Sequence, residues 1–245
     1  MVGTNKSLGQ HWLKNRGILD EIAAGAGEGE ICLEIGPGLG TLTSSLLKRF
    51  KKVIAIEYDK NLANNLPKSF PGKNLEVINA DILDFDFSQI NGPYAVAGNI
   101  PYYITSPIIE NILTTNNMPE RVALLIQKEV AERIASDKET LLSLFVKNRA
   151  NVELGPIVGK EEFTPPPKVD SQVIFLIPHE PEISEEVFKL IKRGFAAPRK
   201  KLAHNLAGLK SKDELKKIFE LADIDINVRP GDLHLSDWQK IYNLF

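Results

Sequence analysis

The sequence predicts an α/β fold: a doubly wound, mostly parallel sheet followed by a small helical domain at the C-terminal end. Three observations carry this prediction. Short apolar runs (Ile31–Ile35, Val53–Ile56, Leu75–Ile78, Tyr94–Ala97 and Val122–Ile126) alternate with segments of helical spacing, the pattern of a parallel sheet covered on both faces. The first run leads directly into Gly36-Pro37-Gly38-Leu39-Gly40, at the strand end where such sheets bind ligands. Past Pro178-His179-Glu180-Pro181 the apolar spacing is helical to the last residue. The expected domains are therefore residues 1–180 and 181–245.

In chain order, Lys6-Ser7-Leu8-Gly9-Gln10-His11-Trp12-Leu13 reads as a polar, basic loop with two large apolar anchors. Leu13 to Ala24 has helical apolar spacing, and the glycines from Gly25 to Gly29 break it. Thr41 to Phe50 reads as the helix after the glycine loop, and Pro107 to Leu113 as the helix after the fourth strand. Leu141 to Asn151 is expected to be mostly buried. Phe163-Thr164-Pro165-Pro166-Pro167-Lys168-Val169-Asp170 is expected to be stiff and extended, and Val173–Ile177 to be a last strand.

The chain of 245 residues is 43% apolar, enough for a sizeable core, and 25% charged with a net charge of −2. That balance argues against a protein that coats nucleic acid everywhere and leaves room for a local basic face. No apolar run is long enough to span a bilayer. The single cysteine, Cys32, cannot form an internal disulfide, so a cytoplasmic location is the default expectation. From Val187 to Lys212 there are eight basic residues, Arg199, Lys200 and Lys201 among them, and no acid. That run is either a solvated helix face or a surface for phosphates, which would orient a nucleic acid without reading its sequence.

Gly36, Gly38 and Gly40 permit a tight turn and close approach of backbone to ligand. A nicotinamide loop would place its third glycine one residue later, and here an acid, Glu34, precedes the loop. Glu57 ends the second strand and could bind both hydroxyls of a ribose; Asp81 follows the third and could accept from an adenine amine. Each acid alone could be a helix cap or a solvated strand end. Three successive strand ends with suitable groups describe a site for S-adenosylmethionine, and the chemistry requires no metal. The fourth strand ends in Asn99-Ile100-Pro101-Tyr102. The Asn99 side-chain oxygen and the Ile100 carbonyl can each accept from an exocyclic amine, and the Tyr102 ring can stack on a base for about 1–3 kcal/mol. The alternative is a plain strand-to-turn corner with a packed tyrosine.

With these motifs on view, the chain resembles the ribosomal RNA adenine N6-dimethyltransferases over nearly its whole length. The resemblance rests on Lys6-Ser7-Leu8-Gly9-Gln10, Glu34–Gly40, Asn99–Tyr102, Gln127–Arg133, Phe163–Ser171, Arg229-Pro230-Gly231-Asp232-Leu233 and Asp237-Trp238. It implies a Rossmann-like methyltransferase domain, followed by a helical module that orients RNA. It implies donor contacts at His11, Leu13, Gly36, Gly38, Glu57, Asp81 and Asn99. Many members carry Asn where this chain has His11, and Arg-Arg-Lys where it has Pro198-Arg199-Lys200.

The implied reaction is dimethylation of two adjacent adenines near the 3′ end of small-subunit ribosomal RNA during ribosome biogenesis. Asn99, Ile100 and Tyr102 would hold the amine and the base. Phe163 would cover the second face of the base or, alternatively, pack in the core. The expected partner is that RNA within a pre-assembled small subunit, with no membrane involved, and the chain is expected to act as a monomer. A large-subunit adenine methyltransferase conferring antibiotic resistance shares the catalytic motifs, but the Phe163–Ser171 block and the tail argue against it. The intact glycine loop and Asn99–Tyr102 corner disfavour a purely non-catalytic assembly factor.

Overall fold

The computed structural model describes residues 10–245; the Lys6–Gly9 part of the opening motif lies outside the described residues. The chain divides into two compact units. One takes the chain up to Glu132 together with Asn151–Pro178, and the other takes Arg133–Ala150 with His179–Phe245.

In the first unit β1 (Trp12–Leu13) and α1 (Arg16–Ala26) lead into β2 (Gly29–Ile35), α2 (Thr43–Leu46), β3 (Phe50–Glu57), α3 (Lys60–Asn65) and β4 (Leu75–Asn79). Then follow β5 (Tyr94–Asn99), α4 (Thr105–Thr114), β6 (Arg121–Gln127) and α5 (Lys128–Ala135), within which the division falls. After α6 (Leu141–Lys147) the chain returns as β7 (Ala150–Val158), β8 (Phe163–Thr164) and β9 (Ser171–Pro178). The large sheet has the order β4-β3-β2-β5-β6-β9-β7. Its first five strands are parallel, and β9 runs antiparallel to β6. Cys32, Leu33, Val53, Val96, Ala97 and Leu124 are fully enclosed, which is why these strands read as unbroken apolar runs. From β2 the chain builds outward to β3 and β4 on one side, then to β5 and β6 on the other. The reversal between β2 and β5 opens a crevice at their carboxyl ends.

Several elements differ from the sequence expectation. The first helix begins at Arg16 because the Asn15 side-chain oxygen accepts the Ile18 amide (3.3 Å) and caps it. Leu13 lies instead in a two-stranded antiparallel ladder of β1 with β8, opposite Phe163. The helix expected over Thr41–Phe50 contracts to Thr43–Leu46. There the amides of Ser45 and Leu46 share the Leu42 carbonyl (2.8 and 3.0 Å), and the Ser44 hydroxyl donates to the Thr41 carbonyl (2.9 Å). Ser and Thr side chains that bond nearby backbone compete with regular helix, and Phe50 passes into β3. The buried stretch from Leu141 is a short helix followed by the edge strand β7.

The second unit packs α6 with α7 (Glu185–Gly194), α8 (Leu202–Leu206), α9 (Lys212–Ala222) and α10 (Leu235–Asn243). Trp238, Phe188, Ile191, Leu202 and Phe219 form its interior. α7 carries Glu185 and Glu186 in its first turn and Lys192 and Arg193 in its last, the charge order that favours a helix dipole. The sequence boundary at residue 180 left Arg133–Ala150 with the sheet, whereas that segment belongs to the helical unit. Contacts distant in sequence hold it there. The Glu139 amide donates to the Gly231 carbonyl (2.8 Å), and the buried Glu139 carboxylate lies 3.2 Å from His234 Nδ1, while Ser143 Oγ (2.6 Å) and Lys147 Nζ (2.7 Å) from its own segment also donate to it. The Phe145 ring meets Phe188 edge-on at 5.7 Å.

Candidate active site

The carboxyl ends of β2, β3, β4 and β5 open into a cleft of about 280 Å³ in the first unit. His11, Leu13, Gly36, Gly38, Glu57, Asp81, Asn99, Ile100 and Tyr102, all expected from the sequence, line it together.

Gly36, Gly38 and Gly40 all have left-handed backbone, with φ of 62°, 56° and 82°. A Cβ on Gly36 would meet nothing, whereas one on Gly40 would press into Leu66 and Phe70 at 2.7 Å. Gly40 therefore serves packing, and Gly36 presents bare backbone to the cleft. The loop is tied to the next strand, because Glu57 Oε2 accepts the Gly38 amide (3.0 Å) while Oε1 accepts the Asp59 amide (2.9 Å). These bonds hold the carboxylate with lone pairs to spare for hydroxyl donors. Burial raises the Glu57 pKa, and the same amides oppose the rise. Asp81 accepts the Leu83 amide through Oδ1 (2.9 Å), so it caps a turn while facing the cleft.

Asn99 is the best-defined residue of the site. Its Nδ2 donates to the His11 carbonyl at 2.9 Å. A carbonyl can only accept, so this contact settles which end of the carboxamide faces it and leaves Oδ1 as a spare acceptor. The Ile100 amide donates to the Leu125 carbonyl (3.4 Å), and its own carbonyl accepts nothing among the described residues. The Tyr102 hydroxyl pairs with Ser171 Oγ (2.6 Å), and its ring lies nearly parallel to that of His11, with an interplanar angle of 19° and centroids 6.0 Å apart.

Four expected residues stand elsewhere. Phe163 is 2% exposed and packs in the hydrophobic core with Leu13, Leu19, Val158 and Val173. It does not line the cleft and cannot cover a base there without leaving the core. Arg199, Lys200 and Lys201 are exposed, on the connection between α7 and α8 in the second unit.

Glu34, the acid before the glycines, is not among the contact residues expected from the sequence, yet it is 1% exposed and lines the cleft, and neither of its carboxylate oxygens has a hydrogen-bond partner. Burial pushes its pKa up to about 8, and nearby Glu57 adds to the rise; Thr43 opposes it from close by without making a well-formed hydrogen bond. The signal was present in Ile31-Cys32-Leu33-Glu34-Ile35, since an acid inside a strand buried on both faces demands a reason. Among the described residues no group of three or more His, Cys, Asp or Glu is placed to hold a metal ion.

Comparison with known proteins agrees with this geometry. A family described as ribosomal RNA adenine dimethylase matches residues 1–245. A ribosomal RNA small subunit methyltransferase A from Nostoc sp. is 38% identical, over all of this chain and 98% of its own length. The protein of that name from Lactobacillus johnsonii is 36% identical over 98% of this chain and 90% of its own. Among solved structures, a dimethyladenosine transferase from Plasmodium falciparum superposes with a TM-score of 0.81 at 30% identity, covering 94% of this chain and 95% of that one. The 23S rRNA methyltransferase ErmE superposes with a TM-score of 0.78 at 25% identity, covering 95% and 98%. The likeness to these relatives runs along the full chain, and the chain belongs to the ribosomal RNA adenine dimethylase family.

Proposed function

We propose that this chain dimethylates N6 of two adjacent adenines near the 3′ end of small-subunit ribosomal RNA, using S-adenosylmethionine. The observation that carries the reading is the orientation of Asn99, whose amide group is occupied by His11 and whose oxygen remains for an incoming amine. The name borne by the bacterial relatives supports the small subunit as target.

The cleft suits the donor. Glu57 offers a fixed carboxylate for ribose hydroxyls, Asp81 an acceptor for the adenine amine, and Gly36 and Gly38 open backbone. The orphaned carboxyl of Glu34 complements a cationic group. His11 and Leu13 close the wall on the side of the opening strand. Bound there, the donor would supply an electrophilic methyl on a cationic sulfur, which the N6 lone pair would take as the S–C electron pair stays with sulfur and the amine proton leaves to water.

The chain's own part is positioning. Asn99 Oδ1 and the Ile100 carbonyl hold the two N–H bonds and so aim the lone pair, and Tyr102 takes the face of a base extracted from its stack. Holding both partners in attack geometry is worth up to about 7–11 kcal/mol of a barrier. Arg199, Lys200 and Lys201 supply phosphate contacts. The substrate is read as the RNA within a pre-assembled small subunit, acted on in the cytoplasm by a monomer. Mass mapping of methylated adenines after incubation with unmodified small subunits, naked small-subunit RNA and large-subunit RNA tests this. Dimethyladenine pairs in the first are expected, and methylation of large-subunit RNA alone would overturn the reading.

Glu57→Ala is expected to weaken donor affinity at least about tenfold by calorimetry, since charged hydrogen bonds are worth about 1.5–3 kcal/mol each. Unchanged affinity would remove Glu57 from the ribose. Reversing the charges of Lys200 and Lys201 is expected to weaken RNA binding most at low salt and to flatten its salt dependence, because fewer counterions are released. Equal slopes for variant and wild type would put the phosphate contacts elsewhere.

A further inference from the structure

Tyr102 is constrained more tightly than a stacking platform needs to be. Its hydroxyl is paired with Ser171 Oγ at 2.6 Å, and Ser171 is fully buried at the start of β9. His11 lies nearly parallel against the ring. The His11 ring is itself anchored, with Nδ1 2.8 Å from the Pro165 carbonyl; as a carbonyl only accepts, Nδ1 carries the proton. The Pro165–Ser171 stretch thus holds the platform at two points without lining the cleft. The ring is half-buried and lines the cleft, so part of its surface remains for a base.

From this clamp, and resting on the methyltransferase reading above, we infer that Ser171 is a positioning residue whose effect falls mainly on the second methyl transfer to each adenine. The unmodified amine offers two N–H bonds, one to Asn99 Oδ1 and one to the Ile100 carbonyl. After the first transfer only one N–H remains, and a methyl must be accommodated beside it. One of the two acceptors then no longer fixes the base. The base depends correspondingly more on its stacking partner, and a ring free to tilt costs the second turnover more than the first.

The test follows N6-methyladenine and N6,N6-dimethyladenine over time by mass spectrometry of the target RNA, for wild type, Ser171→Ala, Ser171→Thr, Tyr102→Phe and the Tyr102→Phe/Ser171→Ala double variant. Ser171→Ala is expected to slow the second transfer about tenfold, the scale of one lost hydrogen bond, and the first by less than about threefold, so that monomethyladenine accumulates. Tyr102→Phe is expected to do the same, the double variant to be no worse than either single one, and Ser171→Thr to restore the wild-type partition. Donor affinity by calorimetry is expected to stay at the wild-type value throughout, which also certifies that the variants are folded. Equal slowing of both transfers, an unchanged product ratio or additive effects in the double variant would overturn the inference alone. A wild-type protein that forms no dimethyladenine would overturn the methyltransferase reading, and the inference with it.

Discussion

Replacing Asn99 with Ala is expected to lower methyl transfer by about 10²–10³-fold, the range found when one preorganised hydrogen-bonding group at a reacting centre is removed. Donor affinity is expected to change much less, because Glu57, Asp81 and the glycine backbone remain. The orientation of the carboxamide makes a sharper version possible. Its Nδ2 donates to the His11 carbonyl, so Asn99→Asp keeps an acceptor for the target amine but turns an oxygen toward another oxygen. It also adds negative charge to a cleft that already holds Glu34 and Glu57. Asn99→Asp is therefore expected to be as impaired as Asn99→Ala. Single-turnover rates with saturating donor, beside calorimetric donor affinities, check both variants. An aspartate variant near full rate would mean that the amide group has no structural duty and that the site accepts a different geometry.

Glu34 carries the second large effect. Its folded pKa of about 8 stands above the ordinary 4.5 because burial penalises the charged form. The folded state therefore binds a proton that the unfolded chain releases at lower pH. The associated stability is fully present below about 4.5, falls as pH rises between those values and is gone above about 8. The full span is on the order of 4–5 kcal/mol. Glu34→Gln removes the titration and is expected to raise the melting temperature of the ligand-free protein by roughly 5–10 °C more at pH 9 than at pH 5. A bound cation beside the carboxyl reverses the preference. Donor binding at pH 7 is then expected to release a proton from the wild type, with affinity rising toward pH 8, and to release none from Glu34→Gln. Calorimetry in buffers of different ionisation enthalpy measures that proton count. Equal counts for the two proteins would put the donor's cationic group away from Glu34.

Much of the site is legible in the sequence because its signals are local. The strands β2 to β6 are buried on both faces and so announce themselves as apolar runs. Each cleft-lining group follows directly in sequence: Gly36 and Gly38 after β2, Glu57 at the end of β3, Asp81 just past β4, and Asn99 at the end of β5. A parallel sheet brings such strand ends together whatever the details of packing. β7 was hidden for the opposite reason. It is an edge strand that contains Gly155 and Pro156 and alternates irregularly between exposed and half-buried residues, and edge strands tolerate residues that argue against a strand.

By itself, then, the sequence determined the α/β class, the order of sheet and helices, the acids and glycines that meet at the strand ends, and the Asn99–Tyr102 corner. All of these are written in short windows of residues. Only the tertiary structure decided that Phe163 packs in the core, that Arg133–Ala150 joins the helical unit, that Asn99 points its oxygen away from His11, and that Ser171 holds Tyr102. Asn99 and His11 are 88 residues apart, and Tyr102 and Ser171 are 69 apart. No local pattern encodes contacts across such separations; they exist only once the sheet has brought its distant segments side by side.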